Sequence, residues 1–297
     1  MGFANAGFKV LFANEIDKYA CETYRLNFSG CNLIEGDICA LDAGILPRVD
    51  VLCAGFPCQP FSVCGKQLGF GDKRGNLFFE IMRIADCLQP QLIFLENVAN
   101  LTEHAGGKTF NAIHNELASR DYTIRYIIAD ACDYGVPQHR TRTYILAFRN
   151  LFKAASYRFP EKTALIRRIT DVIDTRRKAA EDLYLSESDR DYIKLNRFIS
   201  DKNQLYRFSD YGIQASRDGI SFTLKANMGT WYKRVPYIKD DFGIRKITPE
   251  ECLALQGFPS GFRFSQSTPQ NEKYKQCGNT VVVSLVQALA KNAFEIM

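Results

Sequence analysis

Between Phe8 and Phe148 short apolar runs alternate with amphipathic stretches, and this alternation limits the possible fold more than any other feature of the sequence. The apolar runs are predicted strands, at 8–13, 49–54, 92–95, 122–129 and 143–148. The stretches between them are predicted helices, at 17–28, 76–88 and 108–119. Nearly all-apolar strands that alternate with helices are typical of a parallel sheet covered on both faces. The sequence therefore predicts a doubly wound α/β domain.

Polar residues stand where these strands end, and ligands of doubly wound domains bind outside the carboxyl ends of the strands. They are Glu15 and Asp17, Asp37 after a short strand near 33–36, Cys58, and Glu96 with Asn97. Singly, each is more often a loop or helix-cap residue. An acid after a strand is, however, the usual partner of a nucleoside ribose, so the set predicts a nucleoside-containing cofactor. The sequence contains neither a complete G-x-G-x-x-G fingerprint before Glu15 nor a G-x-x-x-x-G-K-[ST] phosphate loop.

A length of 297 residues predicts about two domains, and the charge is divided between two parts of the chain. Residues 149–246 lose the alternation and carry 21 Lys/Arg against 13 Asp/Glu, a balance of +8, whereas the rest carries 17 against 20, or −3. This segment is also rich in aromatic residues and predicts a smaller, irregular second domain. A basic segment fits contact with a polyanion, although chance asymmetry of a solvated surface explains the charge alone equally well.

The ten cysteines are scattered through apolar runs, and none forms a C-x-x-C pair. Reduced thiols are therefore expected. The three histidines do not complete a zinc pattern, so no metal is expected. The sequence has no secretory leader and no run of about 18 uncharged apolar residues, which predicts a soluble, cytoplasmic protein.

Cys58 is the cysteine that fits chemistry best. It lies in a proline-braced loop, Gly-Phe-Pro-Cys-Gln-Pro-Phe-Ser at 55–62, directly after a buried strand. A free cysteine is usually a small buried hydrophobe, and that interpretation suits Cys53 and Cys87 inside their apolar runs. It suits Cys58 poorly, and a thiolate in such a loop is a strong nucleophile when a positive charge or dipole lowers its pKa.

The loop is one of four motifs that occur in a particular order and spacing. The others are Glu-Asn-Val at 96–98, Gln-His-Arg-Thr-Arg at 138–142 and Gln-Cys-Gly-Asn-Thr-Val at 276–281. Further matching pieces stand at 14–17, 36–38, 65–67, 75–80 and 245–259. Together these motifs resemble the DNA (cytosine-5) methyltransferases over the whole chain except its variable middle. The resemblance implies a Rossmann-like S-adenosylmethionine methyltransferase domain over 1–160 and 265–297, and a target-recognition domain over 161–264.

The resemblance also implies a catalytic role for five residues. Cys58 would add to C6 of cytosine, which makes C5 nucleophilic enough to accept a methyl group. Glu96 would protonate or hydrogen-bond N3 of the base, with Asn97 holding the loop. Arg142 would hold the base through O2, and Arg140 would contact the loop or backbone around the extruded nucleotide.

For the cofactor, the resemblance implies a pocket built from strand ends and the C-terminal motif. It would take up S-adenosylmethionine and release S-adenosylhomocysteine. Glu15 would bind the ribose hydroxyls and Asp37 the adenine amino group. The remaining residues would be Ile16, Ile38, Pro57, Leu77, Asn279 and Val281.

Double-stranded DNA is the substrate that the resemblance implies, with the target cytosine flipped out of the stack. Segment 55–76 resembles the mobile loop that closes over flipped DNA in this family, and its expected DNA contacts are Gln59, Ser62, Cys64 and Lys66. In the basic middle segment, Thr223 and Leu224 resemble a Thr-Leu pair that recurs in recognition domains. Other side chains there would read bases in the major groove or contact phosphate.

The beginning of the chain departs from the family pattern. The Phe-x-Gly-x-Gly turn and the strand before it are not in the sequence, which starts at Met1-Gly2-Phe3. We expect that the natural protein starts upstream, because the first strand of a doubly wound sheet is central. The alternatives are a degenerate, non-catalytic DNA-binding protein and a tRNA cytosine-5 methyltransferase. A monomer is expected, with a functionally paired restriction endonuclease as a possible partner.

Overall fold

The computed structural model describes residues 1–57 and 77–297, apart from the side chain of Tyr232. The first domain alternates strands and helices as the sequence predicts. Its elements are α1 (Gly2–Asn5), β1 (Phe12–Glu15), α2 (Lys18–Asn27), β2 (Asn32–Glu35), β3 (Val51–Gly55), α3 (Leu77–Leu88), β4 (Leu92–Val98), α4 (Lys108–Ala118), β5 (Thr123–Asp130), β6 (Thr141–Phe148) and α5 (Leu151–Ser156). None of the helices in residues 1–57 and 77–297 has the length and apolar character needed to cross a membrane.

The main sheet has the strand order β3-β4-β6-β5, and its central strands β4 and β6 are buried on both faces. Side chains of β4 alternate between two cores: Ile93 and Leu95 pack with α3 and α4, whereas Leu92 and Phe94 pack on the opposite face. This burial of both faces explains why the strand is a continuous apolar run.

The sheet is mixed and not entirely parallel, which corrects the expectation. β3 pairs with β4 in parallel, but β6 runs antiparallel to both β4 and β5. Only ten residues, 131–140, connect β5 to β6. A parallel pair needs a crossover of a dozen or more residues, so this connection produces an antiparallel pair.

A gap divides the first domain's strands. β1 and β2 form a separate parallel pair, and a cavity of about 1600 Å³ is lined by residues 7–16 along β1 and by residues 48–55 along β3. The predicted strand at 8–13 is correspondingly shorter, because only Phe12 and the following residues pair with β2. Cys53 of β3 is accessible from this cavity, although desolvation by the surrounding protein raises the pKa of its thiol to about 12.

The second domain is built on a small antiparallel sheet in the order β10-β9-β7-β8. Its elements are α6 (Arg190–Phe198), β7 (Tyr206–Ser209), β8 (Gly212–Ala215), β9 (Tyr237–Asp240), β10 (Gly243–Lys246) and α7 (Pro249–Ala254). The predicted start of α7 is confirmed in detail: Thr248 accepts a hydrogen bond from Glu251 N at 3.0 Å and Pro249 is the first helical residue.

The chain returns to the first domain through α8 (Gln270–Asn279) and α9 (Val283–Phe294). α9 packs on the face of the main sheet that carries Phe94 and also covers α1. Tyr274 and Cys277 of α8, however, belong to the core of the second domain, together with Leu224 and Leu253. The second domain's core therefore extends beyond the predicted boundary at 264, and α8 joins the two domains.

Candidate active site

The large cavity contains most of the residues predicted to bind the cofactor. Among the described residues, its lining includes Glu15, Ile16, Asp37, Ile38, Leu77, Asn279 and Val281, but not Pro57. Acidic side chains stand at one end of β1 and directly after β2, whereas Leu77 opens α3 and Val281 lies between α8 and α9. Two acids and several apolar side chains thus share one cavity, as a nucleoside ligand requires.

The end of β1 is fixed by hydrogen bonds from its own residues. Glu15 Oε1 accepts the backbone N–H groups of Ile16 and Asp17, each at 2.9 Å. The side chain of Asn14 donates to Ile34 O and Gly36 O at 2.9 and 3.0 Å, which ties β1 to the end of β2. The Glu15 carboxylate is therefore held at the cavity by its Oε1, while Oε2 has no hydrogen-bond partner in the described part of the chain.

Glu96 lies in β4, close to the end of β3, and its side chain is only 17% exposed. Its Oε1 is 3.0 Å from Arg142 Nε on the neighbouring strand β6. Burial raises the pKa of the Glu96 carboxyl, although the charges of Arg142 and Arg140 lower it in part. The strand continues through Val98, so Glu96 and Asn97 stand inside β4 and not after its end as the sequence suggested.

Asn97 is buried and connects β4 to the segment after β3. Its Nδ2 donates to Phe56 O at 2.9 Å, and its Oδ1 accepts the N–H of Val98 at 2.8 Å. The amide therefore fixes the chain immediately before Pro57. Five predicted site residues, Cys58, Gln59, Ser62, Cys64 and Lys66, lie outside the described residues.

Arg140 is almost completely buried and binds three carbonyl groups in two distant segments of the chain. Its guanidinium donates to Leu224 O at 2.8 Å, Gly278 O at 3.0 Å and Thr280 O at 2.5 Å. Desolvation lowers the pKa of Arg140 to about 10, so the side chain is still a cation at neutral pH. In this structure Arg140 links the first domain, the second domain and the C-terminal motif. It does not line the large cavity.

Thr223 and Leu224 lie at the same junction. The Thr223 hydroxyl donates to His139 O at 2.7 Å, and Leu224 N donates to the side chain of the buried Gln138 at 3.3 Å. The glycine of the C-terminal motif completes the contact, since a Cβ on Gly278 would be only 2.1 Å from Ala226 N. The predicted motifs at 138–142, 223–224 and 276–281 are thus brought together by backbone contacts.

His139 takes part in a small polar cluster at the end of β5. Its Nδ1 is 2.9 Å from Asp130 Oδ2 and 3.5 Å from Cys132 Sγ. Asp130 Oδ1 in turn accepts the N–H of Arg140 at 2.7 Å. The cluster therefore fixes the loop that carries Arg140 into the junction.

Several residues of the site were not found by sequence reasoning. Gln138 was noted only as part of a motif, and Asn14 only as part of another, although both hold strand ends in place. Lys275, 2.5 Å from Asp17, joins α8 to the start of α2 and was missed entirely. Gln138 could have been recognised from the sequence, because it is a polar residue directly after apolar ones. Lys275 gives no such signal, because it lies in an ordinary polar helix.

Known proteins of one family are similar to this chain over nearly its whole length. The model of the family described as C-5 cytosine-specific DNA methylase matches residues 1–295. The chain is 39% identical to the Type II methyltransferase M.Bsp6I of Bacillus sp. (strain RFL6), covering 100% of this chain and 95% of that protein. It is 35% identical to the Type II methyltransferase M.HhaI of Haemophilus parahaemolyticus, covering 98% and 89%.

Solved structures show the same fold at lower sequence identity. A mutant of Spodoptera frugiperda DNMT2 superimposes with a TM-score of 0.75 at 19% identity, covering 99% of this chain and 96% of that one. A putative DNA modification methyltransferase of an E. coli prophage has a TM-score of 0.73 at 22% identity, covering 99% and 94%. The Rossmann-like methyltransferase fold predicted from the sequence is therefore confirmed.

Proposed function

This chain belongs to the C-5 cytosine-specific DNA methylase family and is an S-adenosylmethionine-dependent DNA (cytosine-5-)-methyltransferase, and from that premise we propose how its own residues act. It methylates a cytosine that is flipped out of a specific duplex sequence, through a covalent adduct between Cys58 and C6 of the base. The observation that carries this proposal is the buried pair of Glu96 and Arg142 beside the cavity that holds Glu15 and Asp37.

The cavity has more than enough room for S-adenosylmethionine, and the chemistry of its walls suits this ligand. Among the described residues only Oε1 of Glu15 is used to hold the strand end, so Oε2 can accept a ribose hydroxyl. Asp37 would accept the adenine amino group, while Ile16, Ile38 and Leu77 supply apolar surface for the ring. Asn279 and Val281 would lie near the methionine part. When bound, S-adenosylmethionine supplies an electrophilic methyl group on its sulfonium.

The reaction begins at C6 of the cytosine. The thiolate of Cys58 adds to C6, the π electrons of the C5–C6 double bond shift so that C5 becomes an enamine carbon, and N3 gains a proton. C5 then takes the methyl group, and the S–CH3 bond of the donor breaks to leave S-adenosylhomocysteine. A base removes the C5 proton, the thiolate of Cys58 leaves as the C5–C6 double bond is restored, and N3 gives its proton back.

Glu96 is the acid in this mechanism. Because burial raises its pKa, the carboxyl keeps its proton more readily than an exposed one and can give it to N3. Arg142 remains charged beside it and has its Nη1 bound to Thr141 O at 2.8 Å, which fixes the guanidinium for a hydrogen bond to O2 of the base.

Arg140 and Asn97 act as positioning residues. Arg140 holds Leu224 of the second domain against Gly278 and Thr280, so DNA bound to the second domain is aligned with the reacting groups. Asn97 holds Phe56 O and with it the residues that lead into Cys58. These contacts support the proposal and involve neither the base nor the methyl group.

The proposal is tested by incubating the protein with duplex DNA and S-adenosylmethionine labelled in the methyl group. We expect label at C5 of cytosine, its loss in Cys58→Ser, and unchanged DNA binding by that variant. Any methyl transfer by Cys58→Ser would refute the proposed nucleophile. Label in tRNA but not in duplex DNA would favour the tRNA methyltransferase instead, and sequence-specific binding without transfer would favour the non-catalytic DNA-binding protein.

The gap between β1 and β3 bears on the expectation that one strand precedes Met1. Among the described residues β1 pairs only with β2, and β3 only with β4, so both have an edge along the cavity. A strand inserted there would pair with both edges. We therefore propose that S-adenosylmethionine binds more tightly to a chain extended upstream. Equal, tight binding by residues 1–297 would contradict this.

The biological setting is also a proposal. The relatives M.Bsp6I and M.HhaI are named Type II methyltransferases, and such enzymes protect DNA from a paired restriction endonuclease. We expect the protein to act as a monomer in the cytoplasm, on chromosomal DNA. Cleavage of DNA by the paired endonuclease should be blocked by prior methylation with this protein.

A further inference from the structure

The second domain has a small cavity of its own, separate from the large one. Its volume is about 260 Å³, and it lies beside the hairpin formed by β7 and β8. Its lining is polar and carries three cations, Arg207, Lys225 and Arg234, against one acid, Asp210. A concave, basic surface with amide and hydroxyl groups suits the acceptor-rich edge of a nucleic-acid base.

Arg207 is held in this cavity by a side chain of the neighbouring strand and by an aromatic ring. It stands opposite Gln214 in the β7–β8 register, and Gln214 Oε1 accepts from Arg207 Nε at 3.2 Å and from Nη2 at 3.1 Å. Its guanidinium also stacks on the ring of Phe222, 4.2 Å from the ring centroid. A side chain held in this way loses little further entropy when it binds a ligand.

The contacts of Arg207 leave one edge of the guanidinium available. Gln214 occupies the edge formed by Nε and Nη2, and among the described residues Nη1 has no hydrogen-bond partner. The edge formed by Nη1 and the second N–H of Nη2 presents two parallel donors. Such a pair matches two acceptors on one planar group.

The charges around Arg207 also favour an acceptor. Desolvation and the neighbouring cation Arg234 lower the pKa of Arg207, whereas Asp210, the acid in the cavity, is paired with Arg234 at 2.9 Å. Arg207 therefore has no acid of its own among the described residues. A ligand with two acceptor atoms would offset the desolvation of the Arg207 cation and its repulsion by Arg234.

The cavity is fixed relative to the active site. Phe222, on which Arg207 stacks, immediately precedes Thr223 and Leu224, and these bind His139 O and the Arg140 guanidinium. A base bound by Arg207 is thus held at a set distance from Glu96 and Arg142. This is what a residue that selects the methylation sequence must achieve.

We propose that Arg207, held by Gln214 and Phe222, determines sequence specificity by reading one guanine through O6 and N7 in the major groove. This inference rests on the proposed DNA methyltransferase function. Arginine bound to guanine O6 and N7 is the commonest specific contact between proteins and DNA. A phosphate group is the other ligand that two parallel donors suit, and it would carry no sequence information.

The test selects sequences by binding, so that it does not depend on catalysis. The whole protein, saturated with S-adenosylhomocysteine, is used to enrich a random duplex library, and the enriched motif is compared among variants. Arg207→Ala and Arg207→Lys should each lose the preference for guanine at one position, by roughly 5- to 150-fold, with the other positions unchanged. Lysine keeps the charge but not the two parallel donors.

Arg217→Ala is the matched control, because Arg217 is an exposed arginine of the same domain that does not line the cavity. It should keep the complete motif, and thermal unfolding should confirm that all three variants fold. The proposal would be overturned if the wild-type motif contained no guanine or if Arg207→Ala kept the complete motif. It would also be overturned if Arg207→Ala bound all sequences equally more weakly, a result that would indicate a phosphate contact. Methyl transfer by the wild type, measured separately, reports on the proposed function alone.

Discussion

Glu96 on β4 and Arg142 on its antiparallel neighbour β6 form a diagonal ion pair, with 3.0 Å between Oε1 and Nε, and their side chains are 17% and 15% exposed. An acid and a cation are thereby kept close together, mostly out of water, beside the large cavity. Each can bind the base at a different atom, and the charge of Arg142 partly offsets the effect of burial on the pKa of Glu96. The proposed mechanism depends on this pair for both the proton at N3 and the hydrogen bond to O2.

Glu96→Gln tests the acid directly. Glutamine keeps the size of the side chain but has no proton to transfer, so methyl transfer should fall by roughly 10²- to 10⁴-fold. Binding of S-adenosylmethionine should be unchanged, as measured by calorimetry. Glu116→Gln, which alters a surface pair with Arg120, is the control and should keep full activity. Near-normal turnover by Glu96→Gln would exclude this residue as the acid.

The raised pKa of Glu96 also predicts a pH dependence of stability. The folded protein holds the Glu96 proton to a higher pH than the unfolded chain does, because burial disfavours the carboxylate. This contribution to the free energy of unfolding is fully present below the ordinary pKa of 4.5 and is lost as the pH rises through the raised value. Urea unfolding of wild type and Glu96→Gln from that pH upward measures it. As the pH rises, the free energy of unfolding of the wild type should fall relative to that of Glu96→Gln. A difference between the two proteins that is constant with pH would argue against a raised pKa.

Arg140 and Arg142 should separate into a structural and a catalytic role. Arg140→Ala leaves the carbonyls of Leu224, Gly278 and Thr280 without a donor, and should lower the free energy of unfolding by on the order of 3 kcal/mol or more. Arg142→Ala removes one ion pair and one hydrogen bond to a carbonyl, so it should cost less stability than Arg140→Ala but more of the methyl transfer rate. Denaturant unfolding and turnover together decide this, and the reverse pattern would show that the two roles are interchanged.

Arg245 makes the most buried ion pairs among the described residues of the second domain. It is 1% exposed and lies 2.7 Å from Asp240 Oδ2 and 2.8 Å from Glu251 Oε2, so it ties the β9–β10 hairpin to α7. Arg245→Met would leave two acids without their cation and should destabilise the protein by about 3–5 kcal/mol. We expect weaker DNA binding with intact S-adenosylmethionine binding at low temperature. Arg217→Ala should change neither, and an equally stable Arg245→Met would show that the network contributes little.

The first domain could be predicted well because local signals determine it. The apolar runs at 49–54 and 92–95, with helices after them, indicate a sheet covered on both faces. In the second domain one local signal of this kind is present, since Thr248-Pro249 marks a helix start. The antiparallel direction of β6 was not visible, since it depends on the length of one connection. Contacts that arise from distant parts of the chain, such as those of Arg140 with Leu224 and Gly278, were equally hidden. The base-reading position of Arg207 depends on its pairing with Gln214, which the sequence does not show.

The central claim is that Cys58 forms a covalent bond to C6 of cytosine in duplex DNA. It is tested most directly with duplex DNA in which 5-fluorocytosine replaces the target base, because fluorine at C5 cannot leave as a proton does. The protein, alone or extended upstream, is incubated with this DNA and S-adenosylmethionine and then denatured. We predict a protein–DNA adduct that survives denaturation, needs S-adenosylmethionine and is absent in Cys58→Ser. No adduct with either form, or an adduct that persists in Cys58→Ser, would contradict the proposed mechanism.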